Sequence, residues 1–593
     1  MVVREGGHLF GQYLYCPRSQ GHVKERVVPG SGRFSLDTQV LGPLPLVNHF
    51  LERLHLAELL ERHVPHHDRR LRLAPSLALG VLVRNLVLHR EPVYALGDWA
   101  ASFDPGVLGL DPDDVALLND DRVGRALVRL FDADRATLLT ELILGAVTEF
   151  AIDLSQLHND STSISFSGRY AGATGSMRSG KRTAAITFGY NKDHRPDLRQ
   201  LVWILTVSAD GAVPIAHRVA DGNTSDDTTH IRTWDELVVL AGRPDFLYVA
   251  DCKLCTRSAM DHIARRGGRF LTVLPRTRRE DGWYRRWMRT HPPAWVEVAR
   301  RPGRRIGDPD EVWWAAPAPS PSGEGYRIVW VKSSAKVEHD QAARTARIEA
   351  GLTALSALEV RLRGSRCRFH DMVAVEEAAA AAIRDAGAER WLAVTVTAVL
   401  EKSYRQEHRG SAGAATRFRQ TARRRFRLRW VVREAAVAAD AASDGCFPLI
   451  TNDTSLSDGE LLAAYKYQPK LETRHAQLKG VQLVTPVFLQ DAARIEALLC
   501  CHFISLLVHA LIEREIRAGM AAKKAAEVPL YPEDRGCRAP TAARVLEVFA
   551  GVARHHLRSG RTTIQVFDPT LTPLQLQVLR LLRIPPSVYA STP

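Results

Sequence analysis

Three acids stand out by their setting. Asp160 lies in LSQLHNDSTSISF, a run rich in Ser, Thr, Ile and Phe that reads as a β-strand. Asp251 closes DFLYVAD, a short apolar strand. Glu472 is the one acid in YKYQPKLETRHAQLKG, residues 465–480, among Tyr, Lys, Arg, His and Gln. Acids at strand ends often only form turns, and a lone glutamate among bases often only makes a surface ion pair. Yet functional groups of open α/β sheets gather at strand ends, and a divalent cation needs several oxygen ligands. Together the three carboxylates read as a metal-binding set beside a polyanion.

The spacing around Glu472 adds to this. At about 100° per residue, Tyr465, Gln468, Glu472 and Lys479 share one narrow helical face. Pro469 is at home only in a first helical turn. Either the helix begins there and leaves Tyr465 on the preceding segment, or it kinks.

The elements that must position these residues follow from pattern. LVWILTVSADGAVPIAHRVA is two strands joined at Asp210-Gly211, a hairpin signal. SDDTTHIRTWDELVVLAG reads as a helix with Ser225 or Asp226 as its cap, TRSAMDHIARRGG as a helix stopped by glycine, and RFLTVLP as a strand. Strand, hairpin, helix, strand, helix, strand describes a mixed α/β sheet.

At this point the residues resemble a family. Tyr465-x2-Gln468-x3-Glu472-x6-Lys479 is similar to the Y-x2-R-x3-E-x6-K signature of one branch of bacterial insertion-sequence transposases of the DDE superfamily. HNDSTSISFSGRY, GYNKDHRPDLRQLVW, DGNTSDDTTHI and VADCKLCTR resemble the blocks around that family's first two aspartates. The resemblance is strongest over 155–280 and 445–500. It implies a ribonuclease-H-like catalytic core with Asp160, Asp251 and Glu472 as catalytic triad and metal ligands. It also implies Mg²⁺, with Mn²⁺ as a substitute, bound as two ions about 3.5–4 Å apart that clamp the attacking and leaving oxygens. Water would free a 3′-OH at the element end, and that hydroxyl would attack target DNA. Tyr465, Gln468 and Lys479 would then contact phosphates. The family's arginine is Gln468 here, which can hydrogen-bond a phosphate but adds no charge. The implied partner is double-stranded DNA, at element ends and target, bound by a homodimer assembled on the ends. Two rival classes are a ribonuclease-H-like endonuclease without strand transfer and an inactive DNA-binding relative.

The layout fits this resemblance. Between Asp251 and Glu472 lie 220 residues, far more than a sheet-to-helix connection needs. WVEVARR, EVWWAAP and YRIVWVK read as strands of an inserted domain, with RWLAVTVTAVLEK another and QAARTARIEAGLTALSALEVRLRG and VEEAAAAAIRDAG helical. The expected division is a helical region 1–150, the first part of the core 151–280, an insertion 281–440, the second part of the core 441–520 and a helical region 521–593. Within the first, two helices over 119–150, capped at Asn119 or Asp120 and at Asp132 or Asp134, permit a helix-turn-helix for DNA-end recognition.

Other features bound the partners. A net charge of +14 favours a polyanion. RFRQTARRRFRLRWVVR, 417–433, holds eight arginines and no acid, with aromatics interleaved. It is the best DNA-binding segment, through Arg417, Arg419, Arg423, Arg424 and Arg425. The resemblance also implies that one tryptophan of the insertion, among Trp283, Trp287, Trp313 and Trp314, stacks on a displaced base. Cys252-Lys-Leu-Cys255 has zinc spacing but lacks a second pair. His158 and His194 flank the aspartate blocks and read as core or surface histidines. Eight irregular cysteines, no apolar signal in MVVREGGHLFGQYLYCPRS and no membrane span point to the cytoplasm and the nucleoid. Ala497–Ile512 reads as a buried helix.

Overall fold

β2 (Gln156–Phe166) and β5 (Arg199–Ser208) are shielded on both faces along nearly their whole length, so the strands must lie mid-sheet with layers on either side. Their polar groups therefore need internal partners. Asn159 finds them in Leu205 O and Thr206 Oγ1, at 3.2 and 2.9 Å. The structure is a computed structural model that describes residues 34–65, 71–303, 307–364, 367–482, 484–485, 487–560 and 562–591. Cys16 and the segment MVVREGGHLFGQYLYCPRS lie outside the described residues.

The fold is mixed α/β. The N-terminal part contributes β1 (Phe34–Val40) and helices α1 (Leu44–Arg53), α2 (Leu56–His63), α3 (Pro75–Leu88), α4 (Leu96–Ala101), α5 (Asp120–Asp132) and α6 (Arg135–Phe150). Asn119 and Asp134 cap the last two, accepting from Arg122 N and Thr137 N. α5 buries Val123, Leu127, Leu130 and Phe131 in the main core.

After β2 come a small ribbon, β3 (Met177–Arg178) with β4 (Lys181–Arg182), then β5, β6 (Pro214–Asp221), α7 (His230–Ala241), β7 (Leu247–Ala250), α8 (Arg257–Arg265) and β8 (Arg269–Val273). The β5–β6 hairpin turns at Gly211, whose φ of +82° suits glycine. α9 (Arg279–Trp287), β9 (Val296–Arg301), β10 (Glu311–Pro317), β11 (Arg327–Ser333) and β14 (Cys446–Thr451) follow. Among the described residues the main sheet has nine strands in the order β6-β5-β2-β7-β8-β14-β11-β10-β9. β2, β7 and β8 are parallel, and the other neighbours are antiparallel.

Two expectations need correction. Pattern alone puts WVEVARR, EVWWAAP and YRIVWVK within the insertion, but as β9, β10 and β11 they extend the main sheet. The separate body is confined to α10 (Ser334–Arg363), α11 (Met372–Asp385), the ribbon β12 (Leu392–Gln406) with β13 (Phe418–Val432), and α12 (Glu434–Ala441). It has its own core of Leu355, Leu358, Val375, Ile383, Phe426 and Leu428. A bidentate Arg344–Asp444 pair, with both contacts 2.7 Å, pins it where it rejoins β14.

The second correction concerns the termini. α13 (Asp458–Tyr465), α14 (Gln468–Ala476), α15 (Ala492–Ala522), α16 (Ala542–Glu547), β15 (Ala553–Ser559), β16 (Thr562–Phe567) and α17 (Pro573–Leu582) complete the chain. The C-terminal region is not purely helical, and β1 pairs with β15 and β15 with β16. α15 is long and apolar enough to cross a membrane, yet its apolar window is wholly buried in the protein. It packs against α3, α5, β6 and α17 together.

Candidate active site

Parallel pairing of β2 with β7 ends at Asn159 opposite Ala250. The residue that follows each member of this pair is an acid, Asp160 within β2 and Asp251 just past the end of β7. Asp251 leaves the sheet, and its carboxylate accepts from Lys253 N at 3.0 Å. Burial pushes the Asp160 carboxyl up to about 6; Lys192 opposes this and the charge of Asp251 adds to it. Asp251 is raised too, chiefly by burial and also by Asp226. Two like charges this close favour a proton or a cation between them.

Glu472 arrives from the other side of the chain. Ser457 and Glu460 form a capping box that starts α13, which ends at Tyr465. A new helix, α14, begins at Gln468 with Pro469 in its first turn. The first of the two alternatives for Pro469 therefore holds. Gln468 is buried: His158 Nδ1 donates to its Oε1 at 2.9 Å, and its Nε2 donates to Asn159 O at 3.0 Å. This differs from the phosphate contact expected of it. It instead clamps α14 one residue from Asp160. Arg474, also buried, donates to Ala212 O, Gly211 O, Gln477 Oε1 and Glu513 Oε2 at 2.9–3.1 Å. Between these anchors Glu472 is exposed.

Tyr465 senses the arrangement. Burial, followed by the charges of Asp251, Cys252, Glu472 and Asp160, pushes its phenol up to about 12. All three carboxylates thus lie within electrostatic reach of one hydroxyl. Among the described residues, however, no three His, Cys, Asp or Glu side chains are grouped closely enough to hold a metal ion, so Glu472 does not close on Asp160 and Asp251 in this arrangement. Lys479 sits on a π-helical turn, Gln477–Val481, and its Nζ is paired with both carboxylate oxygens of Asp193, at 2.6 and 2.8 Å.

Three further residues stand beside these acids, and sequence reading does not single them out as site residues. Lys192 reaches Asp160 and Asp226, at 3.3 and 3.2 Å. Asp226, expected as a cap of α7, instead accepts from Ser161 Oγ at 2.5 Å. Neither it nor Ser225 caps that helix, which starts at His230. His475 is buried on α14 beside the Asp160 backbone, and neither ring nitrogen makes a well-formed hydrogen bond. Burial, with Lys192 and Lys479 nearby, pushes its imidazole down to about 3. A signal exists for Lys192 and Asp226, which lie in the blocks GYNKDHRPDLRQLVW and DGNTSDDTTHI.

The donor set near Asp160 and Asp251 is oxygen, which suits a hard cation. Cys252 and Cys255 are free, and burial pushes the Cys255 thiol up to about 12, the reverse of a zinc thiolate. His158 is a satisfied core histidine. On the ribbon, Arg417, Arg419, Arg423 and Arg424 are exposed. Arg425 is engaged internally, with Glu401 at 3.0 Å and Gly364 O at 2.9 Å. Trp313 is buried, whereas Trp283 is 43% exposed and stacks on Trp287.

Residues 36–144 match a family described as a domain of unknown function, DUF4277. No curated protein matches the chain. Among solved structures it is similar to a piggyBac transposase in a cryo-EM synaptic complex with hairpin DNA, at 9% identity and a TM-score of 0.34, over 80% of this chain and 78% of that one.

Proposed function

We propose that the chain is a DDE-type transposase that cleaves DNA at the ends of an insertion sequence and joins them to target DNA. The observation that carries this is that Asp160 and Asp251 each directly follow the last parallel pair of β2 and β7, with the Glu472 helix clamped across β2 by Gln468. The strand order β6-β5-β2-β7-β8, antiparallel then parallel about β2, supports a ribonuclease-H-like reading of this part of the sheet. The Tyr465–Lys479 signature supports the same reading.

The residues fit Mg²⁺ by donor chemistry and by the raised pKa of two adjacent carboxyls. Asp160, Asp251 and Glu472 would hold it, and a bound pair of ions would stabilise charge on the attacking and leaving oxygens. The chain's own part is positional. α14 holds Glu472 at the rim, and Tyr465 orients a phosphate through its un-ionised hydroxyl. Lys479 turns from Asp193 to a phosphate when DNA arrives. In the first displacement a water oxygen bonds to phosphorus, the P–O3′ bond breaks and a 3′-OH is released. In the second that hydroxyl bonds to a target phosphorus and a target 3′-OH leaves. The ribbon arginines add sequence-independent grip on DNA.

Glu472→Gln keeps shape and removes charge. With Mg²⁺ and DNA carrying the sequences that flank the coding region, it should lower both cleavage and joining by roughly 10³-fold, over about 4 kcal/mol of barrier, and leave DNA binding intact. Cleavage near the wild-type rate would remove Glu472 from the site.

A further inference from the structure

We infer that Lys192 is a resident counter-cation of this site: its ammonium holds Asp160 and Asp226 until a divalent ion displaces it. This rests on the metal-site reading above. Lys192 Nζ has four oxygens around it: Asp160 Oδ1 at 3.3 Å, Asp226 Oδ2 at 3.2 Å, Ser161 O at 2.6 Å and Ser161 Oγ at 2.9 Å. These are hard, partly charged ligands of the kind a Mg²⁺-class ion takes. One ammonium faces the charges of Asp160, Asp226 and Asp251, so a doubly charged ion would neutralise the cluster better.

A second observation also points to a missing ligand. His475 lies on α14, one turn beyond Glu472, with only 9% of its side chain exposed. Its Nε2 stands 3.9 Å from Asp160 Oδ2, too far for a hydrogen bond, and beside the Asp160 backbone neither ring nitrogen makes a well-formed hydrogen bond. A buried imidazole without a well-formed hydrogen bond is costly. It is placed to bond Asp160, or water on an ion there, once the lysine has gone.

The loop is tied to β2 through the Lys192 backbone and the Asn191 side chain. Lys192 N donates to Ser163 Oγ at 3.1 Å and Asn191 Nδ2 to Ser165 Oγ at 2.9 Å. The Lys192 side chain is 30% exposed and has a way out to solvent. Asp193, next in sequence, pairs with Lys479, so one loop delivers a cation to the acids and an acid to the phosphate-binding lysine.

The test is Mn²⁺ titration by calorimetry on the full chain, comparing wild type, Lys192→Met and Asp251→Asn. Lys192→Met should bind Mn²⁺ about tenfold or more tighter than wild type, because no internal charge competes. In wild type, which needs no substitution to fold, acylation of Lys192 by an amine-reactive ester, followed by mass spectrometry, should accelerate several-fold on adding Mn²⁺. Equal or weaker binding by Lys192→Met, or an unchanged acylation rate, overturns the inference and leaves the metal site standing. Absence of Mn²⁺ binding in wild type and Lys192→Met, or binding undiminished by Asp251→Asn, overturns the metal-site reading and the inference with it.

Discussion

Gln468 uses both ends of its amide inside the protein, between His158 and Asn159 O. Gln468→Ala leaves two buried partners unpaired and should lower stability by about 1–3 kcal/mol, measured by denaturant unfolding. Gln468→Arg would restore the residue of the resembled signature, yet it must bury a guanidinium in a neutral pocket. A loss of more than about 2 kcal/mol is expected, and a neutral result would mean that the side chain has an open path to solvent. Asp251 and Glu472 stand out in the sequence because one follows a short apolar strand and the other is an isolated acid among bases, whereas Asp160, inside β2, is marked only by the polar run around it. The burial of Gln468 is not. A helical wheel assigns a face but does not say what covers it, and α14 starts at Gln468 itself, so the face shared with Tyr465 is not that of one helix. His475 escapes for the same reason: nothing local distinguishes it from its basic neighbours.

At the scale of elements, strand register sets which face of the arginine run meets the subdomain core, but Arg425 is set apart from Arg423 and Arg427 on its own face by its bonds to Glu401 and the Gly364 carbonyl. On β13, Phe426 and Leu428 are buried while Arg427 and Arg429 are exposed, so alternate residues face the subdomain core and solvent. Replacing Arg419, Arg423 and Arg427 by alanine should leave the melting temperature unchanged. It should also reduce the slope of log K against log salt by about 0.9 for each phosphate no longer neutralised. Arg425→Ala should do the opposite, costing about 1–2 kcal/mol through Glu401 and the Gly364 carbonyl with the salt slope intact. The strands here are legible from composition, but which arginines are free is not, because that depends on α10 packing across one face. α9 carries a pH-dependent anchor. Arg278 bonds Glu280 and Glu324, and this hydrogen-bonded pairing holds the Glu280 carboxyl down at about 2. A carboxyl depressed from its ordinary value of 4.5 gives stability that is present above that pH and lost as pH falls towards 2. Acid titration should therefore destabilise wild type more steeply over that window than Glu280→Gln, as followed by near-UV circular dichroism.

In the whole molecule the two ends of the described chain are one body. Leu41 N donates to Val552 O at 3.0 Å, and Gly519 packs so tightly on Leu581 that a Cβ there would fall 2.0 Å from its carbonyl oxygen. A chain stopped at residue 550 loses β15, the strand that β1 pairs with, and the buried Val578, Leu579 and Leu582, each worth about 1.5–3 kcal/mol. Limited proteolysis should then cut within 36–144, whereas survival of that region would show that it folds alone. Sequence reading separates these regions because hydrophobic pattern is local and strand pairing across most of the chain leaves no local trace. The same applies to the strands β9, β10 and β11, whose composition reads correctly while their sheet membership does not. That membership has a genetic corollary. β11 and β14 are hydrogen-bonded neighbours, running from Lys332 opposite Cys446 to Arg327 opposite Thr451. The whole segment between them leaves and returns at adjacent strand ends, a gap that a turn of roughly two to five residues closes. The stretch of gene encoding α10 to α12 is therefore a cassette: its removal or replacement in frame would leave every rung of the nine-stranded sheet in place.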